Sequence, residues 1–275
     1  MRKLNGKITS GLALVHVLGL AGAYFFWSWE GFLLLMLLYP LTALGVTIGF
    51  HRYLTHGGFK TYRCVRWVLA VIGMLSGEGP PIYWVSTHRK HHQFSDIAGD
   101  PHSPTLEGFW HAHVLWLLAF ARSKEFSEMF IKFVPDLLRE RFMLFLNRSY
   151  LWWHLGLLAI LAGSGFLYGG WYYLCSFIAY GFFARMVVVL NVTWAVNSFS
   201  HMWGYRLYET ADDSRNNWLV ALLAYGEGWH NNHHAHPSLA RHGHRWWEVD
   251  TSYWIIRVMQ FLHIVWDVKA TLPQR

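Results

Sequence analysis

Four apolar stretches, at about 10–27, 31–50, 151–168 and 171–196, constrain this chain more than anything else in it. Each is long enough to cross a hydrocarbon core of about 30 Å, which takes roughly 20 helical residues. In lipid every backbone polar group needs an internal partner, and continuous apolar runs of this length satisfy that as helices. Composition agrees, with 54% of the 275 residues apolar and 18% aromatic, above what a soluble domain of this size carries. The expected fold is all-α: a polytopic membrane protein with four transmembrane helices in two tight hairpins.

The turns Ser28 to Gly31 and Gly169 to Gly170 lack Lys and Arg, whereas the N-terminus (Arg2, Lys3, Lys7) and both long connecting segments are basic. By the positive-inside rule both termini and both long segments are cytoplasmic. Segments 51–150 and 197–275 then form a helical cytoplasmic cap, and residues 1–275 a single membrane-embedded domain without repeats or flexible linkers. The formal charge of +7 reads first as this topology. It reads second as a surface for anionic headgroups, a CoA-type handle or an acidic redox partner, with no nucleic acid among the expected partners. Residues 67–86 are apolar but broken by Gly77-Glu78-Gly79-Pro80-Pro81, which suits a segment lying along or dipping into the interface. Residues 122–148 mix basic with apolar residues as interfacial helices do. Cys64 and Cys175 are isolated, so no disulfide is expected.

Nine histidines lie in four short clusters beside these stretches: His51 and His56; His88, His91 and His92; His201; and His230, His233 and His234. Neutral imidazole is the commonest protein ligand for iron, copper and zinc, so nine of them on one side of a membrane imply more than one ion. Positions i, i+3 and i+4 share a helix face, which lets each HxxHH triplet converge. His51 and His56 are five apart, on different faces of an ideal α-helix, and are expected to straddle a helix end. Structural zinc prefers thiolates, and soluble di-iron oxygenases use carboxylate-rich bundles. All-imidazole sites opening onto lipid suit oxygen activation on an apolar substrate, favouring a pair of irons. Asp96, Asp100 and Glu227 either hold imidazole N–H groups or cap turns. The remaining nine histidines (His16, His102, His111, His113, His154, His236, His242, His244 and His263) read as non-ligands, interfacial or supporting.

The stretches Thr47 to Arg52, Trp84 to Arg89, Gly99 to Pro104, Asn197 to Gly204 and Gly226 to His230, continuing to Val268, resemble the membrane-bound fatty acyl desaturases of the delta-9 type, the stearoyl-CoA and acyl-lipid desaturases. The resemblance covers nearly the whole chain beyond the first span. It implies a cap over four spans, two irons held by the nine histidines, and Asn197 reaching one metal through a water. It also implies an acyl chain in a narrow kinked tunnel shaped by Trp84, Thr193 and Trp194, with Arg89 where a CoA-like head group sits. The activity implied is O2-dependent insertion of a cis double bond, with electrons from a separate carrier of ferredoxin or cytochrome b5 type. One departure stands out: the family pattern has Gln where this chain has Glu78, at the border of the kink, and a buried carboxylate there must be paired, protonated or wet. The rival within enzymes is a di-iron lipid or alkane hydroxylase, which product analysis separates. A metal transporter would want more ionisable residues inside the spans than His16, His154, Arg185 and Asn191 supply.

Overall fold

Asn5 opens the computed structural model, which describes residues 5–118 and 123–272; Arg2, Lys3 and Arg122, used above, lie outside these. The Asn5 side chain accepts from the N–H groups of Lys7 and Ile8 and starts α1 (Gly6–Phe25). Ser28 accepts from Gly31 and starts α2 (Trp29–Leu44). Such caps satisfy donors that have no partner inside the helix. α2 then widens without a break into a π-helix, Gly45–Thr55. A short antiparallel pair, β1 (Lys60–Thr61) and β2 (Val265–Trp266), ties the start of the cap to its end. Between them run α3 (Arg63–Met74), α4 (Pro81–Phe94), α5 (Pro104–Glu107), α6 (Trp116–Leu118), α7 (Ser123–Phe133), α8 (Pro135–Leu138), α9 (Arg141–Phe177), α10 (Arg185–Met202), α11 (Trp218–Leu223), α12 (His230–Ala235) and α13 (Thr251–Phe261).

By length and composition three helical runs among the described residues are able to cross a membrane: Gly6–Phe25, Trp29–Thr55 and Arg141–Met202. The third is not one straight rod. Gly169 (φ −165°, ψ 33°) and Gly170 (φ 74°, ψ −155°) leave the helical region and reverse it. On the return, a Cβ on Gly165 would lie 2.4 Å from the carbonyl oxygen of Tyr173, so only glycine allows so close an approach. Both reversals lie at one end of the bundle, where Tyr168 donates to Glu30, Tyr172 to the Trp27 carbonyl, and Ser28 meets Ser176. The outer faces of these helices expose Leu20, Leu33, Leu37, Ile160 and Leu167, an apolar surface that calls for an apolar solvent.

The element bounds differ from the sequence expectation at several ends, the first run covering Gly6–Phe25 and the last continuing past 196 to Met202. The second run continues to Thr55 because the π-helix carries it past residue 50. The third begins at Arg141 rather than 151, since no proline or other stop falls between the basic segment and the apolar one, and a single helix continues through both. The expected break between α3 and α4 is present, with Gly77 and Gly79 at φ 94° and 108°. α3 lies directly on the π-helix: a Cβ on Gly45 would sit 2.4 Å from the Gly73 nitrogen. Phe50, Leu54, Met74, Ile82, Val85, Met143 and Leu146 close the core beneath it.

Candidate metal centre

The π-helix decides where the first two histidines point. In this helix the N–H of residue i+5 bonds back to residue i, and the N–H of His56 donates to the carbonyl of His51 at 3.2 Å. His56 therefore meets the His51 ring edge-on, with centroids 4.9 Å apart, instead of falling on another face. The two straddle the helix end as expected, His51 inside the π-helix and His56 at its C-cap just before Gly57 turns the chain at φ 59°, and the π register is what keeps them together.

All nine histidines come together, in two groups whose nitrogens lie within 4.8 Å of one another. One group holds His51, His56, His88, His92 and His233, the other His91, His201, His230 and His234. Each HxxHH triplet is thus divided rather than convergent. The i and i+4 rings His88 and His92 face one group while His91, rotated by about 100° from its neighbour, faces the other. His230 and His234 pair in the same way, with His233 turned across. The groups lie side by side, with the rings of His92 and His234 stacked at 4.6 Å.

Carboxylates aim the rings. Asp100 receives His91 Nδ1 at 3.0 Å, Asp96 receives His201 Nδ1 at 2.8 Å, Asp212 receives His234 Nδ1 at 2.6 Å, and Glu227 receives His51 Nδ1. Since a carboxylate only accepts, each of these Nδ1 atoms carries the hydrogen and each Nε2 presents a lone pair inward. Burial alone would raise Asp100, but the imidazoles of His91 and His102 hold it well below the ordinary carboxylate range. Burial likewise opposes Glu227, and His51, Arg52 and His242 hold it down. Burial, then the neighbour His102, pushes His91 down to about 3 despite Asp100, and burial puts His56, His88, His92, His230 and His233 well below their usual value. These imidazoles are neutral at physiological pH and ready to bind a cation.

The fit to a metal is visible in what the protein leaves unsatisfied. His56 Nε2, His91 Nε2 and His234 Nε2 are buried without a hydrogen-bond partner, and Nε2 atoms of His51 and His233, of His92 and His233, and of His201 and His230 face each other at 3.0 to 3.1 Å. With no proton between them, nitrogens this close are placed to share a cation. Behind them Arg52, fully buried, donates to Glu227, to Asp250 and to the Ala240 carbonyl. Tyr225 and Gly226, at φ 53° and 106°, turn the chain so that Glu227 reaches it, and a Cβ on Gly226 would meet Asp250 at 2.4 Å.

Two cavities meet beside these groups. The larger, about 490 Å³, runs from Phe126 and Trp116 past Tyr83 and Glu78; the smaller, about 40 Å³, runs between α2 and α10 past His51 and His230 to Tyr39, Ala43 and Val189. Trp84, His88, Thr193 and Asn197 line both. Glu78 bridges two of them, accepting from Trp84 Nε1 and Thr193 Oγ1, each at 2.8 Å. Trp194 lines the larger cavity and is buried, with His16 stacked on it. Arg89 is not free at a mouth: its fork grips Asp136 at 2.7 and 3.0 Å and also holds the Phe133 and Leu54 carbonyls.

Asp96 and Asp100 each hold a ring, and Asp96 caps too, receiving Ser103 and the Asp213 N–H. Sequence reasoning missed Asp212, whose signal was its place in the acidic pair Asp212-Asp213 before the His230, His233 and His234 cluster. It also passed over the closeness of His102 and His242, both buried against the centre, with His242 Nδ1 3.4 Å from Glu227.

A family model described as fatty acid desaturase matches residues 27–260. An sn-2 palmitoyl-lipid 9-desaturase of Nostoc sp. (strain 36) is 39% identical over 262 residues, 94% of this chain and 88% of the relative. An acyl-CoA C20 delta5-desaturase of Anemone leveillei is 40% identical over 259 residues, 93% and 79% of the two chains. A hex-5-enoyl-(acyl-carrier protein) acetylenase of Moorena producens (strain JHB) is 39% identical over 248 residues, 86% and 76%.

Proposed function

The chain belongs to the fatty acid desaturase family, and from that premise we propose that it inserts a cis double bond, at the delta-9 position, into a saturated long-chain acyl group carried on CoA or on a lipid. Family membership makes it an oxidoreductase. The observation that carries the reading is the position of two groups of neutral imidazoles beside the junction of two apolar cavities. The delta-9 position follows the 9-desaturases among the relatives, one of them an sn-1 stearoyl-lipid enzyme of Anabaena variabilis.

In this reading His51, His56, His88, His92 and His233 hold one iron, and His91, His201, His230 and His234 the other. Asn197, one helical turn before His201, holds a water for the second. Bound there, the irons supply the O2-dependent oxidising power that takes two hydrogens from adjacent unactivated methylenes. The balance is one O2, two electrons and two protons, with the two hydrogens removed, giving two waters. The chain's own work is positional. Glu227, Asp96, Asp100 and Asp212 fix ring orientation and tautomer, Trp84 and Thr193 hold the wall of the junction through Glu78, and Trp194 closes the cavity on the α1 side. Apolar walls keep water from the reacting carbons. A chain that must turn at the junction presents one carbon pair there and leaves with cis geometry. Arg89 serves a head group only by sharing its fork with Asp136.

The same reading places four spans in the membrane, the third helical run crossing twice about Gly169–Gly170, in one domain over residues 1–275. The cap, both termini and the metal centre face the cytoplasm. Electrons come from a separate ferredoxin or cytochrome b5 type carrier docking on the cap. The test is gas chromatography with mass spectrometry of total fatty acids, double bonds located by derivatisation, from a host expressing the chain or its His91→Ala, His92→Ala variant. A new cis-monoene that vanishes in the variant supports the reading and gives the position. Hydroxy acids in its place overturn it in favour of a hydroxylase.

A further inference from the structure

Among the described residues Glu78 is the one acid on the wall of the larger cavity. It sits on the turn between α3 and α4 and lines that cavity. Its two oxygens each accept one hydrogen bond, from Trp84 on α4 and Thr193 on α10. No cation pairs with it among the described residues. From α2 and α9 it meets the phenols of Tyr39 and Tyr150. Tyr83, His88 and His102 line the same cavity, both imidazoles held neutral by burial. The buried guanidinium of Arg185 donates to the Gly181 and Leu75 carbonyls and to Thr42.

We infer that Glu78 couples acyl binding to proton uptake: it is a carboxylate while the cavity holds water and a neutral carboxylic acid when an acyl chain fills it. The inference rests on reading this cavity as the acyl site. A cavity of about 490 Å³ has room for several waters to hydrate a carboxylate, and an acyl chain displaces them. Two neutral donors do not replace that hydration for a bare charge, whereas they suit the acid well. Trp84 Nε1–H keeps donating to one oxygen. The other takes a proton from the buffer and donates it to Thr193 Oγ, whose hydroxyl turns back to its own helix. Already in the chain-free protein burial pushes Glu78 up to about 7, against the lowering by Trp84 and Thr193. Replacing water by methylenes acts in the same direction as burial.

The probe is octadecanoyl methyl ester, which carries no ionisable group, titrated calorimetrically into detergent-solubilised, metal-loaded protein without reductant. Buffers of different ionisation enthalpy report protons taken up per ester bound. Uptake is expected to approach one proton between about pH 8 and about pH 9 and to fade toward about pH 6, with affinity dropping up to about tenfold per pH unit above the chain-free pKa. Glu78→Gln, neutral at every pH, loses the uptake and makes affinity flat across that range. Thr193→Val removes a donor to the carboxylate, raises Glu78 further and moves the onset of uptake to higher pH. Ester binding with no proton uptake, or the same uptake in Glu78→Gln, overturns the role of Glu78 while the acyl cavity stands. Ester that binds neither wild type nor Glu78→Gln at any pH overturns the acyl reading of the cavity and this inference with it.

Discussion

The two imidazole groups differ in how they are held. In the group of four, three rings are locked by a carboxylate each: His91 by Asp100, His201 by Asp96 and His234 by Asp212. In the group of five, His51 alone meets one, Glu227, and that carboxylate is in turn gripped by the buried Arg52. His56, His88, His92 and His233 are placed by helix geometry and by packing on one another. The first group is fixed by three carboxylates, themselves linked where the Asp96 N–H donates to Asp100 and the Asp213 N–H to Asp96, and the second hangs on a single carboxylate. More nitrogens therefore do not mean a firmer site: orientation comes from what stands behind each ring.

The comparison breaks most visibly at Arg52. Arg52→Met leaves Glu227 and Asp250 buried without their cation, a loss of roughly 3–5 kcal/mol for breaking a buried pair. Denaturant titration in detergent reads that loss, and, on the proposed di-iron reading, metal analysis should show iron per chain falling toward one. Equal loss from both groups would remove the asymmetry. Next in size are the carboxylates. Asp96→Asn, Asp100→Asn and Asp212→Asn should each weaken metal retention about 10- to 100-fold, measured by chelator competition, with the other two locks still in place. Glu227→Gln should exceed each of them; an effect no larger would show the networks to be equivalent.

Acid sharpens the comparison from another side. His91 lies at about 3 and His56, His88, His92 and His233 well below the ordinary 6.5. Their folded pKa values are below the unfolded one, so as pH falls through about 6.5 the unfolded chain takes up protons first. The stability these rings contribute is full above that pH and is lost as it falls toward the folded values. The metal-free protein's unfolding midpoint should therefore drop steadily from about pH 7 to about pH 5. The smallest effect lies outside both groups. The Arg89–Asp136 pair is partly exposed, and after solvent screening Asp136→Asn should cost at most about 1 kcal/mol, with iron content unchanged.

The sequence made the helical class, the turn at Gly169–Gly170, the break at Gly77–Pro81 and the nine histidines readable, because hydropathy, glycine and cluster spacing all act locally. Other features are invisible to spacing. The π-helix under His51 and His56 is a matter of hydrogen-bond register, set where Gly45 and Gly73 let two backbones touch. The division of each triplet depends on which neighbour each ring meets across the fold. Asp212 reaches His234 from a loop 22 residues away in sequence, and no periodicity announces it. Arg89 looked available because its partner, Asp136, lies 47 residues on.

His91 and His92 are consecutive residues pointing into different groups, and so are His233 and His234. One peptide unit, planar and about 3.8 Å between Cα atoms, is the whole mechanical linkage across the centre at each of these two places. The two halves are therefore splinted together at two places. A shift at one half pulls on the other through two rigid struts, so the spacing of the pair is a property of the backbone, and side-chain repacking alone has little leverage to change it.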